Sequence, residues 1–399
     1  PIIQNNMKIN KYSLNNGLRL VHYQDLSTQM VALNIVYDVG ARDEDPEHTG
    51  FAHLFEHLMF GGSVNIPDYD APLQSAGGEN NAWTNNDITN YYLTVPKSNV
   101  EIGFWLESDR MMELAFSEQS LEVQRGVVME EFKQRCLNQP YGDVGHLIRP
   151  LAYEVHPYRW PTIGKDLSHI EQATLEEVKS FFYRFYAPNN AVLAVTGNIS
   201  WEETVRLTEK WFGPIPRRDV PVRQLPQEPV QTKERRQVVK RPDYYAFDIL
   251  SDILSNGRSS RLNRRLVQEQ KLFSVIDAYI SGTRDAGLLH ISGKPSAGVS
   301  LEQAEAAVRK ELQELQQVAI EEQELEKVKN KFESTQIFGN INYLNVATNL
   351  AWFELAGQAE DIDREVERYR AVTAEQLKAV AQETFREENS VVLYYEKDK

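Results

Sequence analysis

His53 and His57 stand four residues apart with Glu56 between them, in the run His53-Leu54-Phe55-Glu56-His57. Side chains at i, i+3 and i+4 are neighbours on a helix, so the three groups share one face. Neutral imidazole is the commonest zinc ligand, and a carboxylate beside two of them can act as a general base. The order His-x-x-Glu-His is the inverted form of the zincin arrangement. A catalytic zinc takes three protein ligands and keeps a fourth position for water. His53 and His57 supply two, so the third must come from another element. The stretch Gln119 to Arg135 reads as a helix and offers Glu122, Glu130 and Glu131, among which spacing alone does not choose.

A zinc that only braces the fold is the weaker reading. Structural sites close with four protein ligands, usually including Cys, and this chain has one cysteine, Cys136. A single cysteine also excludes an intrachain disulfide. Cys136 lies in a polar stretch, Lys133 to Asn138, without an activating partner nearby in sequence, and reads as a surface or packing thiol.

A chain of 399 residues is too long for one ordinary core and implies two domains or more. Its 58 acidic against 43 basic residues, net −15, argue against nucleic acid as the main partner. No run approaches the ~20 apolar residues of a membrane helix. The opening Pro1-Ile2-Ile3-Gln4-Asn5-Asn6 has neither the basic nor the apolar region of a signal peptide. Met7-Lys8 resembles a natural start, so a cytoplasmic location is the expectation, or a periplasmic one if a signal was removed.

The chain repeats itself. Thr174-Leu-Glu-Glu-Val-Lys179 leads through a helix to the strand-like Asn190-Ala-Val-Leu-Ala-Val-Thr196. Thr373-Ala-Glu-Gln-Leu-Lys378 leads likewise to Asn389-Ser-Val-Val-Leu-Tyr-Tyr395, at a constant offset of 199. The expected organisation is therefore a catalytic half over 1–213, a proline-rich extended linker over 214–234 that does not pack, and a homologous non-catalytic half over 235–399. The first half opens with a hairpin around Asn15-Asn16-Gly17, then the strand Met30 to Asp38 and the motif helix, after which helices are expected to dominate to about residue 135. Each half is thus α+β, a mostly antiparallel sheet covered by helices. In the second half the strand Arg236 to Arg241 runs straight into a helix beginning at Pro242, with no partner of Met30 to Asp38. Either a strand was lost there or residues are missing between Lys240 and Pro242. The second is the expectation, because losing a central strand would leave its neighbours unpaired. Asp248-Ile-Leu-Ser-Asp252 stands near the place of the His motif.

Taken with its surroundings, the motif resembles the pitrilysin family of zinc peptidases, in the short two-domain type related to mitochondrial processing peptidase. The residues that carry the likeness are Asp38-Val-Gly-Ala-Arg-Asp-Glu44, Gly61-Gly62, Gly77-Gly-Glu-Asn-Asn-Ala-Trp-Thr84 with Asp87, Thr89 and Tyr91, Val127-Val-Met-Glu-Glu131, His156-Pro-Tyr-Arg159, Pro161-Thr-Ile-Gly164 and Gly257-Arg-Ser-Ser-Arg-Leu262. They span both halves.

The resemblance implies Glu131 as third zinc ligand, one Zn2+ per chain, and Glu56 as general base toward water at the metal. It implies that Asn81 and Ala82 lie on an edge strand that aligns substrate by backbone pairing. Where the family usually carries a glutamate seven residues before the ligand, this chain has Gln124, which can hydrogen-bond but brings no charge. Four halves build the family's clamshell chamber, so two halves imply a dimer that encloses peptide substrates. The family's partner chain often contributes an Arg and a Tyr seven apart; here Gln336 and Tyr343 have that spacing without the charge, which favours a different, zinc-free partner subunit. The expected activity is a zinc endopeptidase for peptides or unfolded segments. The alternatives are a low-activity or scaffold subunit of a processing complex, and a peptide-binding module with incidental zinc.

Overall fold

The computed structural model describes residues 7–138, 142–229, 244–283 and 287–394. In chain order these form β1 (Ile9–Ser13), β2 (Arg19–Gln24), β3 (Met30–Tyr37), α1 (Phe51–Leu58), α2 (Asp70–Ser75), β4 (Glu79–Thr84), β5 (Thr89–Pro96), α3 (Val100–Met112), α4 (Glu118–Phe132), α5 (Val144–Ala152), α6 (Leu167–Glu171), α7 (Leu175–Phe185), β6 (Ala191–Gly197) and α8 (Trp201–Phe212). There follow α9 (Tyr244–Ser255), β7 (Phe273–Ile280), β8 (Leu289–Pro295), α10 (Leu301–Gln317), α11 (Glu322–Gly339), α12 (Tyr343–Ala356), α13 (Glu365–Arg370) and α14 (Ala374–Thr384). The protein is α+β. Helices do not simply dominate after α1, as the sequence suggests. The hairpin β4–β5 intervenes, turning at Asn85-Asn86-Asp87, where the Asn85 side chain accepts the amides of Asp87 and Ile88 as an Asx turn does.

The chain divides into two compact units, Pro1–Gln227 with Gly339–Asp363, and Glu228–Phe338 with Arg364–Lys399. The first holds a six-stranded sheet in the order β1-β2-β6-β3-β5-β4, antiparallel except for the β2/β6 pair. Strand β3 is covered on both faces. Val31, Leu33, Ile35 and Tyr37 join the core beneath the helical layer that contains α1, α3, α4 and α7. Ala32 and Val36, with Val21, Val192 and Ala194, form a second apolar face, and Val346, Ala347, Leu350 and Ala351 of α12 cover it. One buried polar residue on that face, Asn34, is satisfied by Asn90 (2.8 Å) and by the Thr348 hydroxyl (3.1 Å).

Two expectations about domains are corrected here. The segment 339–363 lies in the second half of the sequence but packs with the first unit, because an apolar sheet face left in water would be costly and α12 is what buries it. The proline-rich stretch, irregular through residue 229, is fastened rather than loose. Arg218 donates to the carbonyls of Tyr186 (2.9 Å) and Met112 (2.7 Å) and lies 4.5 Å over the Phe182 ring. Arg223 pairs with Asp43 at 2.6 Å and donates to the Asp38 carbonyl at 2.9 Å. Residues 230–234 lie outside the described residues, as does the strand expected at 236–241.

In the second unit α9, α10, α11 and α14 share a core with Phe273 and Ile276 of β7. The only sheet among its described residues is the antiparallel pair β7–β8. The strand expected at Asn389 to Tyr395 does not form over its described part, Ser390–Tyr394. Its counterpart β6 sits between β2 and β3, and among the described residues of the second half no counterpart of β3 is found to supply one of those ladders.

Duplication is nevertheless written into the local hydrogen bonding. Thr174 and Glu177 form a reciprocal capping box at the start of α7 (3.3 and 2.9 Å), and Thr373 and Gln376 form the same box on α14 (3.2 and 2.9 Å). Asn190 donates to the Phe185 carbonyl and Asn389 to the Thr384 carbonyl, each at 2.9 Å. Every pair is 199 residues apart.

If α12 is the cover of the first unit's sheet, Leu350→Ala should lower stability by about 2–5 kcal/mol, the range for truncating a fully buried leucine. The urea midpoint reads this directly; an unchanged midpoint would show that the helix is dispensable there.

Candidate metal centre

Helix α1 begins at Gly50, whose φ is +87°. A side chain there would be strained, and its Cβ would stand 2.6 Å from Ile170 Cδ1 and 2.9 Å from the Ile163 carbonyl oxygen. No side chain of the N-cap residue satisfies the first-turn amides. Instead the fully buried Glu44 reaches in, accepting from the amides of Gly50 (3.0 Å) and Ala52 (2.8 Å) and from Trp160 Nε1 (3.1 Å). Burial pushes the Glu44 carboxyl up, to about 8, against the pull of these three donors. An eight-residue helix is marginal alone; the Glu44 clamp and the apolar contacts of Phe51, Leu54, Phe55 and Leu58 hold it in place.

On the opposite side of α1 the motif residues face α4. His53 Nε2 lies 3.5 Å and His57 Nε2 3.4 Å from the same Glu131 oxygen, Oε2. One donor atom from each of the three falls within 4.8 Å of the others, the only such group of His, Cys, Asp and Glu among the described residues. These separations exceed a good N–H···O hydrogen bond. They match what a small tetrahedral cation demands, since ligands about 2.0–2.2 Å from zinc stand roughly 3.4 Å apart. The two imidazoles meet edge to face, centroids 4.9 Å apart at 89°. The donor set is two imidazole nitrogens and one carboxylate from two helices, and it fits zinc.

The other two candidate glutamates, Glu122 and Glu130, point away. Glu122 is 74% exposed and pairs with Arg125, and Glu130 is 62% exposed and pairs with Lys133. These are solvated i,i+3 pairs. Glu131 also carries a pair on its outer side, with Arg135 at 2.9 Å from Oε1, so its two oxygens have separate duties. Pairing with His57 holds the Glu131 carboxyl below the usual carboxylate range, helped by His53 and Arg135 and opposed by burial. Arg135 was not singled out from sequence, although its i+4 spacing from Glu131 was a legible signal. It sits on a π-helical turn, Lys133–Leu137, that also buries Cys136, as expected of a packing thiol.

Burial lowers the His53 pKa to about 4, with His57 and Arg135 acting in the same direction and Glu131 against it. His53 therefore offers a neutral imidazole over the whole neutral range. Its Nδ1 is buried without a hydrogen-bond partner. Gln124 is half-buried and forms no hydrogen bond to either imidazole. Glu56 takes no part in the donor cluster. Its Oε2 accepts from the Thr84 hydroxyl at 2.6 Å, while burial pushes its carboxyl up despite that bond and the nearby His57.

Thr84 ends β4, the edge strand of the first unit's sheet. The Asn85 amide bonds the Ile88 carbonyl at 3.0 Å, so by antiparallel alternation the outward-turned residues of β4 are Thr84, Ala82 and Asn80. The Ala82 amide is capped by the Asn81 side chain, Oδ1 at 2.8 Å. Asn81 and Ala82 thus stand on an open strand edge whose neighbour Thr84 holds Glu56.

In the second unit, Asp248 and Asp252 keep the i,i+4 spacing on α9, but each carboxylate is occupied. Asp248 accepts from Tyr369 at 2.5 Å and Asp252 from Asn256 at 2.7 Å. Gln336 donates to Glu365 at 2.7 Å. Among the described residues, no metal-like cluster lies there.

Two outcomes follow. Glu131→Ala should weaken zinc binding by more than about 100-fold and Glu130→Ala by less than about twofold, read by competition with a chromophoric chelator. In the metal-free chain His53 has a folded pKa near 4 against about 6.5 unfolded. The unfolded chain therefore binds the extra proton as the pH falls through that window. Stability is retained above about 6.5 and declines by up to about 3 kcal/mol toward pH 4. A His53→Asn variant should show a shallower decline between pH 6.5 and 4 in chelator-treated urea titrations; an equal slope would contradict this.

The comparisons with known proteins agree with this geometry. Residues 19–143 match the family described as Insulinase (Peptidase family M16), and residues 172–243 and 239–332 match the family described as Peptidase M16 inactive domain. A zinc protease of Helicobacter pylori is 27% identical over 406 residues, covering 96% of this chain and 91% of its own. A solved protease structure from Helicobacter pylori, also 27% identical, covers 96% of this chain and 98% of its own with a TM-score of 0.88. Pitrilysin, at 18% identity and a TM-score of 0.73, shares the fold over 97% of this chain but only 44% of its own. The chain belongs to the insulinase family of peptidases, family M16.

Proposed function

We propose that this protein is a zinc-dependent endopeptidase for peptides or unfolded segments. The observation that carries this reading is the division of labour on α1. His53 and His57 converge with Glu131 on one point, while Glu56, one turn from His53, is held off that point by Thr84. Bound there, zinc would polarise a substrate carbonyl and acidify a water.

The rest is done by the chain's own residues. The outward amides and carbonyls of β4 accept an extended peptide as an added strand, with the Asn81 side chain leaving the Ala82 amide as the peptide arrives. Glu56 receives the proton of the attacking water and returns it to the leaving nitrogen, a task suited to a carboxyl raised by burial. His53, kept neutral by burial, remains a nitrogen donor across neutral pH.

The second unit contributes no chemistry of its own, since Asp248 and Asp252 are bound to Tyr369 and Asn256. Pitrilysin is matched over less than half its length, which supports a working enzyme of two such chains enclosing the substrate. The lack of an Arg at position 336 favours a different, zinc-free partner over a second copy.

Hydrolysis of a quenched fluorescent peptide library tests this reading, with zinc measured on the same sample. Turnover should vanish with chelator and fall by about 10²-fold or more in Glu56→Gln, while that variant keeps its zinc. Turnover indifferent to Glu56→Gln would favour a peptide-binding module with incidental metal.

A further inference from the structure

Thr84 is the one residue that belongs both to the open strand edge and to the base. Its backbone amide and carbonyl turn outward, like those of Ala82 two residues earlier. Its side chain turns the other way, toward α1, and the hydroxyl lies 2.6 Å from Glu56 Oε2. The hydroxyl has one proton to give, and of its two acceptors the charged and nearer one is the Glu56 carboxylate. Thr89 Oγ1 is 3.5 Å away and donates its own proton to the Val39 carbonyl at 2.9 Å. Thr89 is fully buried, so it backs Thr84 from a fixed place. A β-branched side chain in a strand is stiff at χ1, so the direction of the hydroxyl follows the direction of the strand. Among the described residues Glu56 Oε1 has no hydrogen-bond partner, whereas Oε2 has Thr84.

We propose that Thr84 is a positioning residue that couples substrate pairing to the aim of the base. A peptide added along β4 fixes the Thr84 backbone, the hydroxyl holds Oε2 of Glu56, and Oε1 is thereby directed at the water to be deprotonated. With the edge empty, the strand end and the carboxylate are less constrained. The enzyme is then best organised for catalysis when an extended chain occupies the edge, and short substrates that cannot reach Thr84 are turned over slowly even when bound. This inference rests on the peptidase reading above and adds a residue to it.

Steady-state kinetics of the full chain with a long quenched peptide test it, comparing wild type, Thr84→Val and Thr84→Ser, each with its zinc content measured. Thr84→Val keeps the shape and β-branching but removes the donor. It should lower kcat on the order of tenfold or more with KM within about twofold and zinc unchanged, and Thr84→Ser should recover most of the loss. A rise in KM with kcat intact would overturn the proposal, as the residue would then act only in strand pairing. Equal losses in the two variants, or loss of zinc in Thr84→Val, would also overturn it in favour of packing. Absence of turnover in the zinc-loaded wild type, assayed both alone and with host-cell extract as a source of the partner subunit, sinks the peptidase reading itself and takes this inference with it, whereas wild-type turnover matched by Thr84→Val sinks the inference alone.

Discussion

The approach of one Glu131 oxygen to two imidazole nitrogens is the constraint on which the rest of the first unit depends. The three donors come from two helices separated by 59 residues of chain, and they leave room between them for a cation rather than closing on one another. Holding α1 and α4 at this separation needs both helices fixed at their ends and flanks. For α1 this means Glu44 on its first-turn amides, glycine at position 50, and the aromatic packing of Phe55 with Phe182 and Tyr186. The sheet below gives these helices a rigid floor, and α12 makes that floor stable by burying its far side. Thus a helix distant in sequence from the ligands supports them through the strand that both helical layers share, β3.

A second constraint orders the chemistry around the ligands. His53, Glu56 and His57 are on one helical face, and a carboxylate so close to two ligand nitrogens would be free to join them. Thr84 draws it aside, toward the end of β4. The same strand end presents an open edge to an extended chain. The metal donors, the proposed base and the proposed substrate edge are therefore set by three short pieces, α1, α4 and β4, that meet at one corner of the sheet. The second unit shows what duplication leaves behind when the site is not kept. Its capping boxes and Asn-to-carbonyl bonds repeat those of the first unit with the same spacing, yet the paired carboxylates on α9 are consumed by Tyr369 and Asn256.

Much of this was legible in the sequence, and the division between legible and hidden is physical. The motif His53 to His57 is contained in little more than one turn, so helix geometry alone places its side chains together. The hairpin β1–β2 and strand β3 declare themselves through a turn signal and a β-branched run. The duplication is visible because capping boxes and strand starts are local patterns. Glu131 was different. Spacing leaves Glu122, Glu130 and Glu131 as candidates; the family resemblance, with helix phase, pointed to Glu131, and the packing of α4 against α1 separates the two solvated pairs from the residue that faces the histidines. Strand β5 was missed because Thr89–Pro96 is buried almost throughout and so lacks the alternation that marks a half-exposed strand. The attachment of α12 to the first unit could not be read from its own residues. An apolar helix face announces that it will be buried, not which sheet will bury it. Thr84 and Glu44 stood inside the runs that carried the resemblance, but their roles depend on partners brought in by the tertiary fold.

The measurement that bears most directly on this account is X-ray absorption at the zinc edge of the zinc-loaded chain. Convergence of His53, His57 and Glu131 predicts one zinc per chain in a four-coordinate shell of nitrogen and oxygen at about 2.0–2.1 Å, with the outer-shell scattering of two imidazoles and no sulfur. The imidazole signal should disappear in a His53→Ala, His57→Ala double variant. A shell containing sulfur at about 2.3 Å, or a six-coordinate oxygen shell without imidazole scattering, would place the metal elsewhere and contradict the centre described for α1 and α4.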